Sequence, residues 1–269
     1  MRRIPRLFQS PGKKLVPFIT AGFPDLESTV PLVLAAECAG AHMIELGIPF
    51  SDPLADGLVI QRTSQIALSN GVTLDWILET SMAIRSQTQI PIILMGYINP
   101  ILKMGVAEFL YRASESGVDG LIIPDLPPEE GIQLFASARS QGISTIYLVA
   151  PNTPTARIRQ LAIEAEDLLY AVSILGVTGS TLDARENLSH YIERVQTASA
   201  VPFVVGFGIS TPADVVRVAD KADGIVVGSA LLARLEKSAD PVQEATQFLS
   251  ELTTALLDAG SISSTGEPE

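Results

Sequence analysis

The sequence is short of the residue types that many structural and catalytic centres need. Its 269 residues contain one cysteine, Cys38, and two histidines, His42 and His190, which lie far apart. A single cysteine excludes an internal disulfide framework. Because Cys38 lies among small residues in a helical pattern, we predict that it is a buried helix residue rather than a nucleophile. Because neither histidine has a second ligand at a suitable spacing, we predict no metal site.

Positive charge and long apolar runs are also scarce. The chain has 18 Lys and Arg against 30 Asp and Glu, and five of the basic residues fall within the first 14 positions. The rest is strongly acidic, which argues against a surface for nucleic acid or anionic membrane. No apolar run approaches 18 residues without a charge or a break, so we expect no membrane span. Because the basic N-terminus lacks the apolar segment of a secretory signal, we expect a cytoplasmic protein, or a plastid one if the source is a plant or alga.

Apolar residues, at 47% of the chain, supply a regular pattern of short runs. Eight β-branched runs alternate with helical patterns, at residues 16–20, 43–46, 92–95, 120–123, 144–149, 168–172, 202–205 and 224–227. Apolar strands that alternate with helices predict a parallel sheet covered on its outside, and eight units in about 250 residues predict a closed (β/α)8 TIM barrel. The alternative, an open Rossmann-like sheet, lacks a G-x-G-x-x-G motif after the first strand.

We predict one domain, because no linker-like change of composition interrupts the chain. The TIM-barrel domain spans residues 1–259 and starts with a short amphipathic helix, in which Ile4, Leu7 and Phe8 have helical spacing and Pro5 stands near the start. Residues 260–269 are small and polar and are predicted to form a disordered tail.

A glutamate stands in the apolar run that we predict to be the second barrel strand. Burial raises the pKa of a carboxyl group towards neutrality, and barrel enzymes carry their chemistry at the carboxyl ends of the strands. Glu45 is therefore our candidate general acid–base group; the alternative is a Glu that points outward or pairs with a cation. In the following loop, we interpret Asp56 as a second catalytic carboxylate and Asp52 as a turn or capping residue for a helix that begins near Gln61.

Glycine-rich segments follow the last three predicted strands, at residues 176–179, 206–210 and 228–230. Glycine lets backbone N–H groups approach an anion closely, and TIM barrels often bind phosphate after their seventh and eighth strands. None of the three segments contains Lys or Arg, so phosphate would be held by N–H dipoles. One such segment would indicate only a turn, whereas three at consecutive strand ends predict a phosphate site.

Taken together, these motifs resemble the α subunit family of tryptophan synthase. The resemblance runs from PFITAG at 17–22 to GSA at 228–230, and its most specific run is ELGIPFSDPLADG at 45–57. Further matching segments are LMGYINP at 94–100, PDLP at 124–127, GVTG at 176–179 and GFGIS at 206–210.

The resemblance implies a lyase of tryptophan biosynthesis that cleaves indole-3-glycerol phosphate to indole and glyceraldehyde 3-phosphate, with no cofactor on this subunit. It makes Glu45 the acid–base group and Asp56 the second catalytic carboxylate. The positions that match the phosphate loops are Gly179, Gly208, Gly228 and Ser229. The positions that match the indole pocket are Phe18, Tyr97, Tyr170 and Phe207, for which plain barrel core is the alternative. The implied partner is a pyridoxal-phosphate-dependent β subunit, in an α2β2 assembly.

Two departures from the family pattern concern loop closure. Ile174 stands where some members carry an arginine, and Leu58 stands where proline is usual, which predicts a less stiff catalytic loop. Exposed apolar residues at the mouth, namely Leu54, Leu58, Ile101 and Leu102, predict a protein interface.

Other functions stay open at the level of sequence. They are a free-standing lyase that releases indole, another phosphate-binding barrel enzyme, and a catalytically silent barrel that only activates a partner. The presence of both carboxylates argues against the last two.

Overall fold

The structure, a computed structural model, describes residues 2–172, 183–206 and 208–262. Within these ranges the strands follow the eight predicted runs, except that Ile146 divides the fifth run into two short strands. The strands are β1 (Lys14–Thr20), β2 (Ile44–Gly47), β3 (Ile92–Met95), β4 (Gly120–Ile122), β5 (Ser144–Thr145), β6 (Tyr147–Val149), β7 (Leu169–Val172), β8 (Phe203–Gly206) and β9 (Gly224–Val227).

All neighbouring strands pair in parallel, in the order β5-β4-β3-β2-β1-β9-β8-β7-β6. The two outermost strands, β5 and β6, are consecutive parts of one segment, so the chain itself brings the edges of the sheet together. The result is a nearly closed barrel. The predicted (β/α)8 class is therefore confirmed, and the open sheet is not the fold.

Helices cover the outside of this barrel. Those in the described part of the chain are α1 (Arg3–Gln9), α2 (Thr29–Cys38), α3 (Leu58–Ser69), α4 (Leu74–Arg85), α5 (Ile98–Met104), α6 (Val106–Glu115), α7 (Ile132–Ser140), α8 (Thr155–Ala165), α9 (Asp183–Ala198), α10 (Pro212–Ala219), α11 (Ser229–Leu235) and α12 (Pro241–Ile262). The start of α10 is stabilised by a capping box that Thr211 and Asp214 form. Helix α3 begins at Leu58, three residues before the predicted start near Gln61.

The amino-terminal face of the barrel is closed by α1. Ile4 is fully buried, and a Cβ atom on Gly120 at the start of β4 would lie 2.8 Å from the Ile4 Cδ1 atom. Arg3 donates to Asp119 at 3.0 Å, and Arg2 forms an ion pair of 2.6 Å with Asp167. The basic N-terminus is thus bound to acidic residues beneath the barrel, which leaves the opposite face open for chemistry.

The predicted burial of Cys38 is wrong. Cys38 ends α2 and is exposed, whereas the buried residues of that helix are Thr29, Leu32, Val33 and Ala36. These four residues form one stripe at helical spacing, and position 38 lies outside it.

Two further predictions concern the ends and surface of the chain. Helix α12 continues to Ile262, past the predicted boundary at residue 259, and residues 263–269 lie outside the described residues. The division into one domain and a tail stays a prediction. None of the helices, as far as the chain is described, has the length and apolar character needed to cross a membrane.

Candidate active site

Glu45 lies on β2, which pairs with β1 and β3. Its side chain is buried, with 1% exposed, and neither carboxyl oxygen makes a hydrogen bond to any group in the described residues. Burial raises the pKa of Glu45 to about 8, and the nearby Asp56 carboxyl adds to this rise. The neighbouring Tyr170 hydroxyl offsets part of the rise, although it is not in hydrogen-bonding geometry with either carboxyl oxygen of Glu45. Glu45 therefore holds a proton at neutral pH, and the outward-pointing or paired alternatives do not apply.

Asp56 lies in the loop between β2 and α3 and is only partly buried. The Tyr97 hydroxyl donates to Asp56 Oδ2 at 3.2 Å and itself accepts a hydrogen bond from the backbone N–H of Ala55 at 2.9 Å. Burial raises the pKa of Asp56 above its ordinary value, and the Tyr97 hydrogen bond opposes that rise. Since partial exposure and a donor both favour the charged form, Asp56 is the better anion of the two carboxyls.

Tyr97 is held in place by the surrounding loops. It precedes α5, is 5% exposed, and its ring stacks on Phe50 with ring centroids 5.1 Å apart. Burial raises the pKa of Tyr97 to about 12, so its hydroxyl stays a donor to Asp56. The family resemblance predicts Tyr97 only as part of the indole pocket. Its hydrogen bond to Asp56 could not be predicted from the sequence, because the two residues are 41 positions apart.

Phe18 and Tyr170 pack against glycines at the strand ends. A Cβ atom on Gly47 would lie 2.4 Å from the Phe18 ring, and one on Gly206 would lie 2.6 Å from the Tyr170 hydroxyl. Burial, together with the adjacent Glu45 carboxyl, raises the pKa of Tyr170 well above its ordinary value. Both rings therefore lie at the carboxyl ends of the barrel strands beside the two carboxyls, in space that side chains at Gly47 and Gly206 would fill.

The predicted phosphate positions lie after neighbouring strands. Gly208 follows β8 with φ of +30°, and an added Cβ atom there would meet no described atom within 4 Å. Gly228 follows β9 and precedes α11, whose first residue is Ser229. Gly179 and Phe207 lie outside the described residues, as does Ile174.

A narrow cleft joins several of these groups. It is lined by Phe18, Thr20, Gly47, Ile48, Asp56, Ile60, Ser64, Met95, Gly96, Tyr97 and Pro124. A larger cavity of about 710 Å³ lies outside the barrel between the 48–51 segment and helices α3 to α6, but neither carboxyl lines it. Of the two carboxyl residues, Asp56 lines the smaller cleft, which makes this cleft the better candidate for the site.

Asp52 behaves as a turn residue and not as a cap. Its backbone carbonyl accepts from Leu54, and its exposed carboxylate accepts from Ser51 at 2.6 Å. The residue before α3 is Gly57, which makes no side-chain cap. Within the described residues no group of three or more His, Cys, Asp or Glu side chains is placed to hold a metal ion.

The buried Glu45 should make stability fall with rising pH. Its pKa in the folded chain, about 8, lies above the ordinary 4.5, so the folded state keeps a proton that the unfolded state loses between these values. The contribution is fully present below about pH 4.5 and is lost as the pH rises through 8. We expect the thermal unfolding midpoint of the wild type to fall more steeply over this range than that of Glu45→Gln; parallel slopes would contradict the assignment.

The chain is a TIM barrel, and two carboxyls in unlike surroundings near the carboxyl ends of barrel strands are typical of enzymes that work by general acid–base chemistry. The chain belongs to the tryptophan synthase alpha chain family, whose model matches residues 6–259. It is accordingly a carbon–carbon lyase of tryptophan biosynthesis.

Individual relatives agree with this assignment. The tryptophan synthase alpha chain of Geotalea daltonii is 47% identical over 86% of this chain and 88% of its own length. The crystal structure of the Legionella pneumophila alpha subunit has a TM-score of 0.89 and 37% identity, covering 96% of this chain and 99% of that one. A structure described as the tryptophan synthase α2β2 complex of Pyrococcus furiosus has a TM-score of 0.82 and 37% identity, covering 90% and 98%.

Proposed function

We propose that this chain cleaves indole-3-glycerol phosphate to indole and glyceraldehyde 3-phosphate, with Glu45 and Asp56 as its catalytic residues. The observation that carries the assignment is the difference between the two carboxyls. Glu45 is buried without a hydrogen-bond partner among the described residues and has a pKa raised to about 8, whereas Asp56 is partly exposed and accepts from Tyr97. One group is thus prepared to donate a proton and the other to accept a hydrogen bond.

In the proposed reaction Glu45 donates one proton and later takes one back, so that it returns to its starting state. The protonated carboxyl donates to indole C3, which places positive charge on the ring nitrogen, and Asp56 stabilises this charge by accepting the N–H hydrogen bond. The bond from C3 to the glycerol carbon then breaks, and its electrons restore the indole ring. The hydroxyl on that carbon loses its proton to Glu45 as it becomes the aldehyde.

We assign the phosphate to backbone N–H groups after β8 and β9, at Gly208, Gly228 and Ser229, with Gly179 as the predicted third segment. The open space at Gly208 and its positive φ support this placement, because they leave the backbone accessible. The aromatic residues Phe18, Tyr97 and Tyr170, with Phe207, are assigned to the indole ring.

A side chain at Gly208 should weaken binding of the phosphate. We expect Gly208→Val to raise the KM for indole-3-glycerol phosphate at least about tenfold while it changes the binding of free indole little. Gly142→Val is the matched control, since Gly142 also has positive φ and open space but lies before β5 on the opposite face of the barrel. Inorganic phosphate should compete with substrate; no inhibition at tens of millimolar, on the order of weak single-site affinity, would contradict the site.

For the partner, we propose a β subunit of the kind that the Pyrococcus furiosus complex contains. The exposed apolar residues at the mouth support this interface: Leu54 is 95%, Leu58 75% and Leu102 57% exposed. Ile101 does not belong to it, contrary to the prediction, because it is fully buried on the inner side of α5. A complex of this kind also fits a cytoplasmic enzyme, the compartment that we propose.

The β subunit should stimulate cleavage by one to two orders of magnitude, or about 1.4–2.7 kcal/mol of barrier, because ordering the Asp56 loop raises turnover without new chemistry. The assay is steady-state indole release with and without the β subunit, combined with gel filtration of the mixture. Leu102→Ser should reduce co-elution, while Val216→Ser, an exposed apolar change on α10, should not. Fast cleavage by the isolated chain without co-elution would favour the free-standing lyase, and no cleavage in either state would favour the silent barrel.

A further inference from the structure

The PDLP segment at 124–127 has no part in the proposed reaction. It follows β4, and its one charged residue is Asp125. Pro124 lines the smaller cleft, whereas Asp125 is exposed and is not among the residues that line it. Any influence of Asp125 on the chemistry must therefore pass through another residue.

Asp125 binds the start of α5. Its Oδ1 atom accepts a hydrogen bond at 3.0 Å from the backbone N–H of Ile98, the first residue of that helix. The residue before the helix, Tyr97, makes no side-chain cap, and the first turn of α5 contains no acidic residue. The carboxylate that satisfies this N–H group and complements the positive end of the helix thus comes from the neighbouring loop.

The backbone around Tyr97 is held on both sides by the β4 segment. Before it, the N–H group of Gly96 donates to the carbonyl of Ile122 in β4 at 3.1 Å. After it, the N–H group of Ile98 donates to Asp125. The first bond continues the pairing of β3 with β4 and needs no particular side chain. The second depends on the carboxylate of Asp125.

The placement of Tyr97 matters because its hydroxyl joins two points of the Asp56 loop. It accepts from the N–H group of Ala55 at 2.9 Å and donates to Asp56 Oδ2 at 3.2 Å. Because the second bond is already long for a hydroxyl donor, a small shift of Tyr97 would break it. Burial raises the pKa of Tyr97 to about 12, and the charges of Asp56 and Asp125 add to the rise, so both carboxylates lie close to this ring. The contacts therefore run through three loops, from Asp125 after β4 to Tyr97 after β3 and Asp56 after β2.

We propose that Asp125 is a positioning residue for the cleavage reaction, which fixes the start of α5 and thereby holds the Tyr97 hydroxyl against Asp56. The inference rests on the proposed function and adds a residue to its machinery. Without Asp125 both catalytic carboxyls are still present, but Asp56 can leave the geometry in which it stabilises the charge on the indole nitrogen. The loss should therefore appear in kcat, while KM stays nearly unchanged.

The test is steady-state release of indole from indole-3-glycerol phosphate in the presence of the β subunit. The variants are Asp125→Ala, Asp125→Asn, Tyr97→Phe and the double variant Asp125→Ala/Tyr97→Phe. Asp240→Ala is the matched control. Asp240 is also an exposed aspartate whose Oδ1 atom accepts from a backbone N–H group, that of Gln243, at the start of α12. None of the described side chains of α12 lines the cleft.

We expect Asp125→Ala to lower kcat about fivefold, the factor that corresponds to loss of a helix cap, and by no more than Tyr97→Phe does. Asp125→Asn should lose only about twofold, because its amide oxygen can still accept from Ile98. In the Tyr97→Phe background, Asp125→Ala should cause no further loss, since the hydroxyl through which it acts is already gone. Hydrogen exchange at the Ile98 amide should become faster in Asp125→Ala and not in Asp240→Ala, which reports the lost bond without turnover.

Multiplication of the two losses in the double variant would show that Asp125 does not act through Tyr97 and would overturn the inference. A kcat of Asp125→Ala within about twofold of the wild type, as for an ordinary surface substitution, would do the same. If the thermal unfolding midpoint shows that Asp125→Ala does not fold, Asp125 is a residue of general stability and the inference is equally wrong. Failure of the wild type to release indole would instead remove the proposed function, and this inference with it.

Discussion

Replacement of Glu45 by glutamine should reduce indole release by at least about a hundredfold, or 2.7 kcal/mol of barrier, while the barrel stays folded. The amide has nearly the shape of the carboxyl group and fits the same buried position. It cannot carry a proton to indole C3 or take one from the glycerol hydroxyl. Because the loss concerns proton transfer, kcat should fall and the binding of the substrate should change little.

The measurement is steady-state cleavage of indole-3-glycerol phosphate, with circular dichroism to show that the variant is folded. Glu27→Gln, an exposed change of the same kind beside α2, should keep wild-type turnover. A Glu45→Gln enzyme within about tenfold of the wild type would remove Glu45 from the role of acid–base group.

Asp56→Asn should lower kcat by about 10²–10³-fold, because the amide has no negative charge with which to stabilise the charge that develops on the indole nitrogen. The hydrogen bond from Tyr97 can persist, since the amide oxygen still accepts it, so the loop should keep its position. Tyr97→Phe should have a smaller effect, because it removes the group that positions Asp56 and leaves the carboxylate.

Asp52→Asn supplies the control for this loop. Asp52 lies four residues before Asp56, is exposed, and its carboxylate contacts Ser51. The same chemical change there should leave kcat within about twofold, as is usual for a surface substitution. If Asp56→Asn raises KM and spares kcat, Asp56 is a binding residue and its catalytic assignment is wrong.

The barrel could be predicted from the sequence because each strand carries its own apolar signal and each helix its own start and stop signals. Gly40, Gly117 and Gly142, for example, follow helices α2, α6 and α7 with positive φ, the conformation in which glycine commonly ends a helix. The division of the fifth run at Ile146 had no such signal, because it depends on the pairing of β5 with β4 and of β6 with β7.

Burial at single positions was harder to predict, since it depends on which face of a helix meets the sheet. Cys38 and Ile101 show this in opposite directions: the apolar character of their neighbours fits either face, and the packing of α2 and α5 decided that Cys38 is exposed and Ile101 buried. Asp56 and its donor Tyr97 belong to different loops, and the packing of Tyr97 on Phe50 helps bring them together.

The pairing of β1 with β9 determines when the barrel can close during synthesis of the chain. Lys14 to Pro17 lie opposite residues 224 to 227, so one side of the first strand has its backbone partner almost at the far end of the chain. During synthesis, β1 therefore carries an open edge until more than four-fifths of the polypeptide has left the ribosome. Such an edge invites pairing with other chains, and only completion of the ring removes it.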